Sequence, residues 1–244
     1  MKKNKFILLI IGLVFLSLTG CGKTNEEEKS GPQENNIKEN EIPKTDALRF
    51  KDEYETLNGT TTASGQKHRT ISISEENPFI YATAEEIVKK VENKETFYVY
   101  FGSNYCPWCR SVIEKALEVA SRYNIDKIYY VDIWDGDHVE ILRDTYKISD
   151  AGEPELVSEG GPGYQDLLKC LEDVLDDYIL KDKNGKEVSV GEKRIFAPNF
   201  IYVENGVGNK IVTGESELQK GSRDELTDEI LEDEEKQFIE LFSK

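Results

Sequence analysis

The sequence predicts an α/β fold, with a central mixed sheet flanked by helices and a helical insertion ahead of a final hairpin. Three observations carry that prediction. Phe97-Tyr98-Val99-Tyr100-Phe101 is a continuous run of aromatic and β-branched residues, the pattern of a strand covered on both faces. A helix follows at or just after Cys106, with Val112, Ile113, Ala116, Leu117 and Ala120 at helical spacing, and then the strand-like run Ile128 to Ile133. A right-handed crossover makes those two strands parallel. Far downstream, Ala197 to Val203 and Lys210 to Thr213 flank the turn Glu204-Asn205-Gly206 and form an antiparallel pair, so the sheet is mixed.

The remaining elements are placed around this frame. Thr70 to Ile73 alternates in the manner of a strand. Thr83-Ala84-Glu85-Glu86 is a capping box that opens a helix through Val91, and Asn93 and Lys94 close it. Gly102 to Tyr105 turns the chain into the Cys106 helix. Residues from about 135 to 193 exceed what the core pattern needs and form the insertion. Its clearest feature is a predicted helix from about Tyr164 to Ile179, with Leu167, Leu168, Leu171, Val174, Leu175 and Tyr178 on one side. Gly160-Gly161-Pro162-Gly163 precedes it as a loop, and Asp182-Lys183-Asn184-Gly185-Lys186 makes a turn between short extended runs. The insertion either shapes access to a site or embellishes the fold. An acidic amphipathic helix from about Arg223 to Phe242 ends the chain, and there is no internal repeat.

The amino terminus indicates a compartment. Lys2, Lys3 and Lys5 precede an apolar stretch from Phe6 to Leu18, which has the layout of a secretory signal over residues 1–20. Thirteen residues of helix reach roughly 20 Å, short of the ~30 Å hydrocarbon core, so the stretch is read as cleaved rather than spanning. Leu18-Thr19-Gly20-Cys21 resembles the lipobox of bacterial lipoproteins, which implies a diacylglycerol on Cys21 and an anchor on a membrane's outer face. An ordinary signal that ends near a cysteine is the alternative. Residues 21–47 are then the lipidated cysteine and a polar tether, too poor in apolar residues to offset chain entropy. Residues 48–244 suffice for one domain. The net charge of −17, about −20 without the signal lysines, disfavours nucleic acid and anionic lipid as partners.

The chemistry is concentrated in Cys106-Pro107-Trp108-Cys109. At a helix start, unsatisfied N–H groups and the positive end of the dipole favour a thiolate on the first cysteine. Cys106 is therefore the candidate nucleophile, and Cys109, one turn on, the candidate resolver of a mixed disulfide. A half zinc site would need ligands from Cys21, Cys170, His68 or His138, but neither histidine has metal-ligand spacing and both read as surface residues. A static disulfide across so short a loop stabilises little, and Tyr105 and Trp108 flank the pair as at a contact surface. Cys170 is read as a small buried hydrophobe, with a third redox thiol as the other possibility. No organic cofactor or metal is called for.

The order strand, CPWC, helix, strand, proline and hairpin over about Pro78 to Thr213 resembles thioredoxin-like proteins, and specifically the thioredoxin-like lipoproteins of Gram-positive bacteria. That group includes proteins described as bacteriocin transport accessories. The motifs that carry the likeness are Tyr100-Phe101-Gly102 through Cys109-Arg110 and Ala197-Pro198-Asn199. The resemblance implies a thioredoxin fold, a Cys106 nucleophile, a Cys109 resolver and a cis bond before Pro198 that turns Ala197 toward Cys106; a trans edge-strand proline is the alternative. It also implies thiol–disulfide exchange with cysteine-containing secreted or surface proteins, and a membrane redox partner that recharges the pair. A non-enzymatic accessory for secretion or bacteriocin export is the second function it allows. Two departures stand out. Tyr105 precedes the pair and Pro107-Trp108 intervene, so the redox direction is open, and Tyr100 stands where thioredoxins carry a buried acid, so Cys109 needs another group or water for its proton.

Overall fold

The computed structural model describes residues 44–136 and 138–244. The expected signal segment, Cys21 and the tether up to residue 43 lie outside the described residues. Among the described residues, no helix is long and apolar enough to cross a membrane.

Five strands form a mixed sheet: β1 (Phe79–Tyr81), β2 (Phe97–Gly102), β3 (Ile128–Asp132), β8 (Asn199–Glu204) and β9 (Val207–Val212), in the order β1-β3-β2-β8-β9. β1, β2 and β3 are mutually parallel, β8 runs antiparallel to β2, and β9, antiparallel to β8, runs with the first three. Successive side chains of a strand face opposite ways, so Tyr100 and Tyr130 enter one core while Val99, Phe101 and Val131 enter the other. The first core is closed by α1 (Asp46–Glu55), α3 (Pro107–Arg122) and α5 (Asp228–Phe242), and the second by α2 (Ala84–Glu92) and α4 (Tyr164–Cys170).

Local chemistry explains the elements that match expectation. Thr83 accepts the Glu86 N–H while the Glu86 carboxylate accepts the Thr83 N–H, the reciprocal capping box that starts α2. Asn205 and Gly206 both have positive φ, as a two-residue hairpin turn between β8 and β9 requires. Gly206 is further confined because a Cβ there would lie 2.3 Å from the Val91 carbonyl oxygen at the end of α2.

Four expectations are corrected. Thr70 to Ile73 is extended but is not a strand. Its backbone bonds go to side chains: Asn58 Oδ1 accepts the Ile71 N–H, Glu114 Oε1 that of Ser72 and Glu55 Oε1 that of Ile73, while Ile71 and Ile73 bury their side chains. The alternation thus reports burial, not ladder pairing. The insertion helix stops at Cys170; Asp176–Lys181 is strand β6, paired with β7 (Glu187–Arg194) around the Asp182–Lys186 turn. The chain turns over residues 171–174, and strand pairing overrides the helical spacing at Tyr178. A second insertion hairpin joins β4 (Thr145–Ile148) and β5 (Pro154–Ser158). The terminal helix begins at Asp228, where the Thr227 hydroxyl accepts the Ile230 N–H, rather than near Arg223. Finally α1, unforeseen, opens inside the span assigned to the tether. Thr45 caps it, and Phe50 and Tyr54 stack one turn apart at 4.4 Å, with Phe50 also on Phe79 at 4.0 Å.

Glu234 on α5 has no exposed surface, and neither carboxylate oxygen has a hydrogen-bond partner. Burial pushes its pKa up to about 8, with Lys115 and Arg69 opposing. A carboxyl whose folded pKa exceeds its unfolded value makes stability fall as pH rises between the two, here from about 4.5 to 8. Glu215 and Asp132 act in the same direction. Glu234→Gln is therefore expected to gain about 1–3 kcal/mol at pH 9 relative to the parent and to converge with it near pH 4. Urea unfolding at the two pH values measures this, and an equal difference at both would contradict it.

Candidate functional site

The site lies where β2 ends and α3 begins. Cys106 is the N-cap of α3, with Pro107 in the first helical turn, where a missing N–H costs nothing. Its sulfur accepts the Cys109 N–H at 3.3 Å. The Cys106 N–H in turn donates to the Ser103 carbonyl at 3.1 Å, fixing the loop that precedes the motif. Both cysteines are free thiols, at 3.1 Å from each other. Cys106 is 6 % exposed and Cys109 fully buried. An incoming group can reach only the first.

Across the site the Ala197–Pro198 bond is cis, and the Cys106 thiol points at the Ala197 carbonyl oxygen, 3.4 Å away. The neighbouring Asn199 is buried: its amide donates to the Pro198 carbonyl and its oxygen accepts the Phe196 N–H at 2.6 Å. Asn199 is also the register partner of Phe101, so β2 and β8 deliver the cysteine loop and the proline to the same end of the sheet.

The two thiols are electrically unequal. Hydrogen bonding from the Cys109 thiol, helped by the Cys109 and Trp108 N–H groups, lowers the Cys106 pKa, against burial and the charge of Glu215. Burial raises that of Cys109 well above the ordinary thiol range, and its interaction with Cys106 adds to this. The arrangement can hold a thiolate on the outer sulfur and a protonated reserve on the inner one.

Tyr105 and Trp108, expected to flank the pair on a contact surface, are half-buried. His68 and His138 do not stand alone. Both rings pack against Tyr105, His138 edge-on and His68 with its centroid 6.4 Å away. Their separation in sequence carried no hint of this. Among the described residues, no three His, Cys, Asp or Glu side chains are grouped to hold a metal. Cys170 packs against the second core, on the opposite face of the sheet from the pair, and burial raises its thiol to about 11. The fold does not bring it to Cys106.

Several residues of the site had no signal of their own. Arg110, 1 % exposed, donates to the carbonyls of Tyr54 (2.7 Å) and Asn104 (3.2 Å), to the Arg69 carbonyl and to Asn58 Oδ1 (2.9 Å). It ties α1, the extended 69–73 segment and the cysteine loop to α3. Beneath Cys109, Tyr54, Tyr100 and Tyr130 are buried together. Asp132 ends β3 opposite Gly102, with burial raising its pKa to about 6. Asp132 also borders a groove of about 720 Å³ that runs from Tyr105 to α1 and is walled on its far side by Trp134, Ile141, Leu142 and Pro162 of the insertion. The insertion thus forms part of the surface beside the motif.

No protein-family model matches this chain, and no curated protein matches it.

Proposed function

We propose that the chain is a thioredoxin-like thiol–disulfide oxidoreductase, held by a lipid on Cys21 at the outer face of a cell membrane, that exchanges disulfides with secreted or surface proteins. The observation that carries this reading is the Cys106 thiol at the N-terminus of α3, facing the Ala197 carbonyl across a cis-proline. The strand order β1-β3-β2-β8-β9, with β8 alone running against the other four, supports the thioredoxin-like assignment, and Leu18-Thr19-Gly20-Cys21 supports the anchor. In the reductive direction the Cys106 thiolate attacks one sulfur of a client disulfide and expels the other as a thiolate, leaving a mixed disulfide. Cys109 then attacks the Cys106 sulfur, the second client thiolate leaves and takes up a proton, and the pair is oxidised by the two electrons the client gains. The oxidative direction is the same path reversed. Ala197, exposing backbone beside the pair, offers an incoming extended segment a strand-like partner, and a membrane redox partner resets the pair.

Equilibrating the chain with glutathione and trapping free thiols tests the reading. The Cys106–Cys109 pair is expected to cycle, with a potential in the span from about −270 to −120 mV occupied by such proteins. A pair that stays reduced throughout, or oxidises without being reducible, removes the enzyme reading. The alternative, a non-enzymatic accessory for secretion or bacteriocin export, is favoured by one feature: Leu156 and Val157 on the insertion are 42 % and 57 % exposed, as at a docking surface. It predicts that a Cys106→Ser, Cys109→Ser chain keeps its biological activity.

A further inference from the structure

Resolution of a mixed disulfide needs Cys109 as a thiolate, yet Cys109 is fully buried and no acid stands at the end of β2 below it. What stands there is Tyr100. Its hydroxyl folds back over Gly102, where a Cβ would lie 2.2 Å from it, so the glycine keeps open the space the phenol occupies. Tyr100 packs in the same buried cluster as Cys109, and its interaction with that thiol lowers the thiol's pKa against the effect of burial. A second hydroxyl, that of Tyr54 on α1, lies 2.9 Å from the first. Both side chains have no exposed surface, and both rings are locked, Tyr100 against Phe200 at 4.2 Å and Tyr54 against Phe50 at 4.4 Å.

Resting on the oxidoreductase reading, we propose that the paired hydroxyls of Tyr100 and Tyr54 are the device that lets Cys109 ionise: Tyr100 donates to the Cys109 sulfur while accepting from Tyr54. A hydrogen bond to a charged acceptor in a dry site is about twice as strong as one between neutral groups, and chained donors polarise each other. The interaction strengthens as charge collects on sulfur, so it favours the attacking state over the resting thiol. Burial holds both phenols far above their ordinary pKa, so they act as donors and not as proton acceptors. In the step itself, the Cys109 thiolate attacks the Cys106 sulfur of Cys106–S–S–R, the bond to R breaks, and R–S⁻ leaves. The proton released from Cys109 goes to solvent or to that leaving thiolate. Around the pair the other titratable or charged groups are Tyr130 and Asp132 on β3, Arg110 on α3 and Glu215 beyond β9.

The test uses the full chain in detergent, with Cys106 loaded with a chromogenic aromatic thiol, and follows its release by Cys109 across pH. The Cys109→Ser chain, which retains the label, is the blank. Tyr100→Phe keeps the ring and deletes only the hydroxyl. It is expected to slow release about tenfold at neutral pH, shift the profile upward by about one pH unit and rejoin the parent rate at high pH. Tyr54→Phe leaves the Tyr100 donor in place, and a loss of about threefold is expected, with the same convergence. A purely structural effect would lower the rate equally at every pH. Unshifted profiles in both variants would overturn the proposal while leaving the oxidoreductase reading intact. A parent chain that never releases its label would overturn that reading first.

Discussion

Cys106→Ser is expected to abolish thiol–disulfide exchange, leaving reduction of a protein disulfide no faster than in the absence of the chain. Only Cys106 combines access with a lowered pKa, and a serine hydroxyl there offers no anion at neutral pH. Cys109→Ser is expected to behave differently. It retains the attacking thiolate and loses the resolver, so it should accumulate mixed disulfides with small thiols and with client proteins, visible on non-reducing gels as covalent adducts that dithiothreitol removes. The contrast between a silent variant and a trapping variant tests the assignment of roles. Adducts forming equally through either remaining cysteine would mean that the pair lacks the polarity its geometry suggests.

Arg110→Met should cost the fold about 3 kcal/mol. The methionine fills much of the same volume, so the loss comes from acceptors: Tyr54, Asn104 and Arg69 carbonyls and Asn58 Oδ1 all lose a donor. Asn58 Oδ1 keeps the Ile71 N–H; each buried acceptor left unpaired costs about 1–3 kcal/mol, offset in part because a desolvated cation with no carboxylate among its hydrogen-bond partners is also removed. The net of several acceptors against one cation remains destabilising. In a domain of this size that lowers the melting temperature by about 6–12 °C. Arg110→Lys keeps the charge but cannot fork to four acceptors and should fall between the two. Calorimetry measures both. A melting temperature unchanged in Arg110→Met would mean that water replaces the guanidinium without loss. Because Asn104 belongs to the loop before the motif, the methionine chain should also show faster alkylation of Cys109, which the intact loop keeps buried.

The path from sequence to site was legible where chemistry is local. Thr83 and Glu86 announce a capped helix because their side chains bond the backbone within one turn. Asn205-Gly206 announces a hairpin because only such residues take two positive φ values cheaply. Cys106 falls where a helix starts, and the helix end supplies an N–H group to its sulfur. Where two local signals competed, the longer-range one won. Leu167 through Tyr178 carried a helical spacing, but the chain turns after Cys170 and from Asp176 pairs with Glu187–Arg194. Thr70–Ile73 carried a strand spacing, but Asn58, Glu114 and Glu55 supplied its hydrogen bonds from side chains.

By itself, the sequence determined the mixed α/β class, the position of the cysteine pair at a strand-to-helix turn and the proline hairpin that meets it, since each depends on residues close together in the chain. Tertiary structure alone decided what surrounds the pair. Tyr54 comes from a helix 52 residues upstream of Cys106, Asp132 from the neighbouring strand, and the two histidines reach Tyr105 from separate loops. None of these is recognisable by spacing, because side-chain proximity across a core is set by strand register and helix packing rather than by the order of residues. Tyr100 shows this most clearly: its place on a central strand is visible in the sequence, but its hydroxyl pair with Tyr54 exists only once α1 is folded against the sheet.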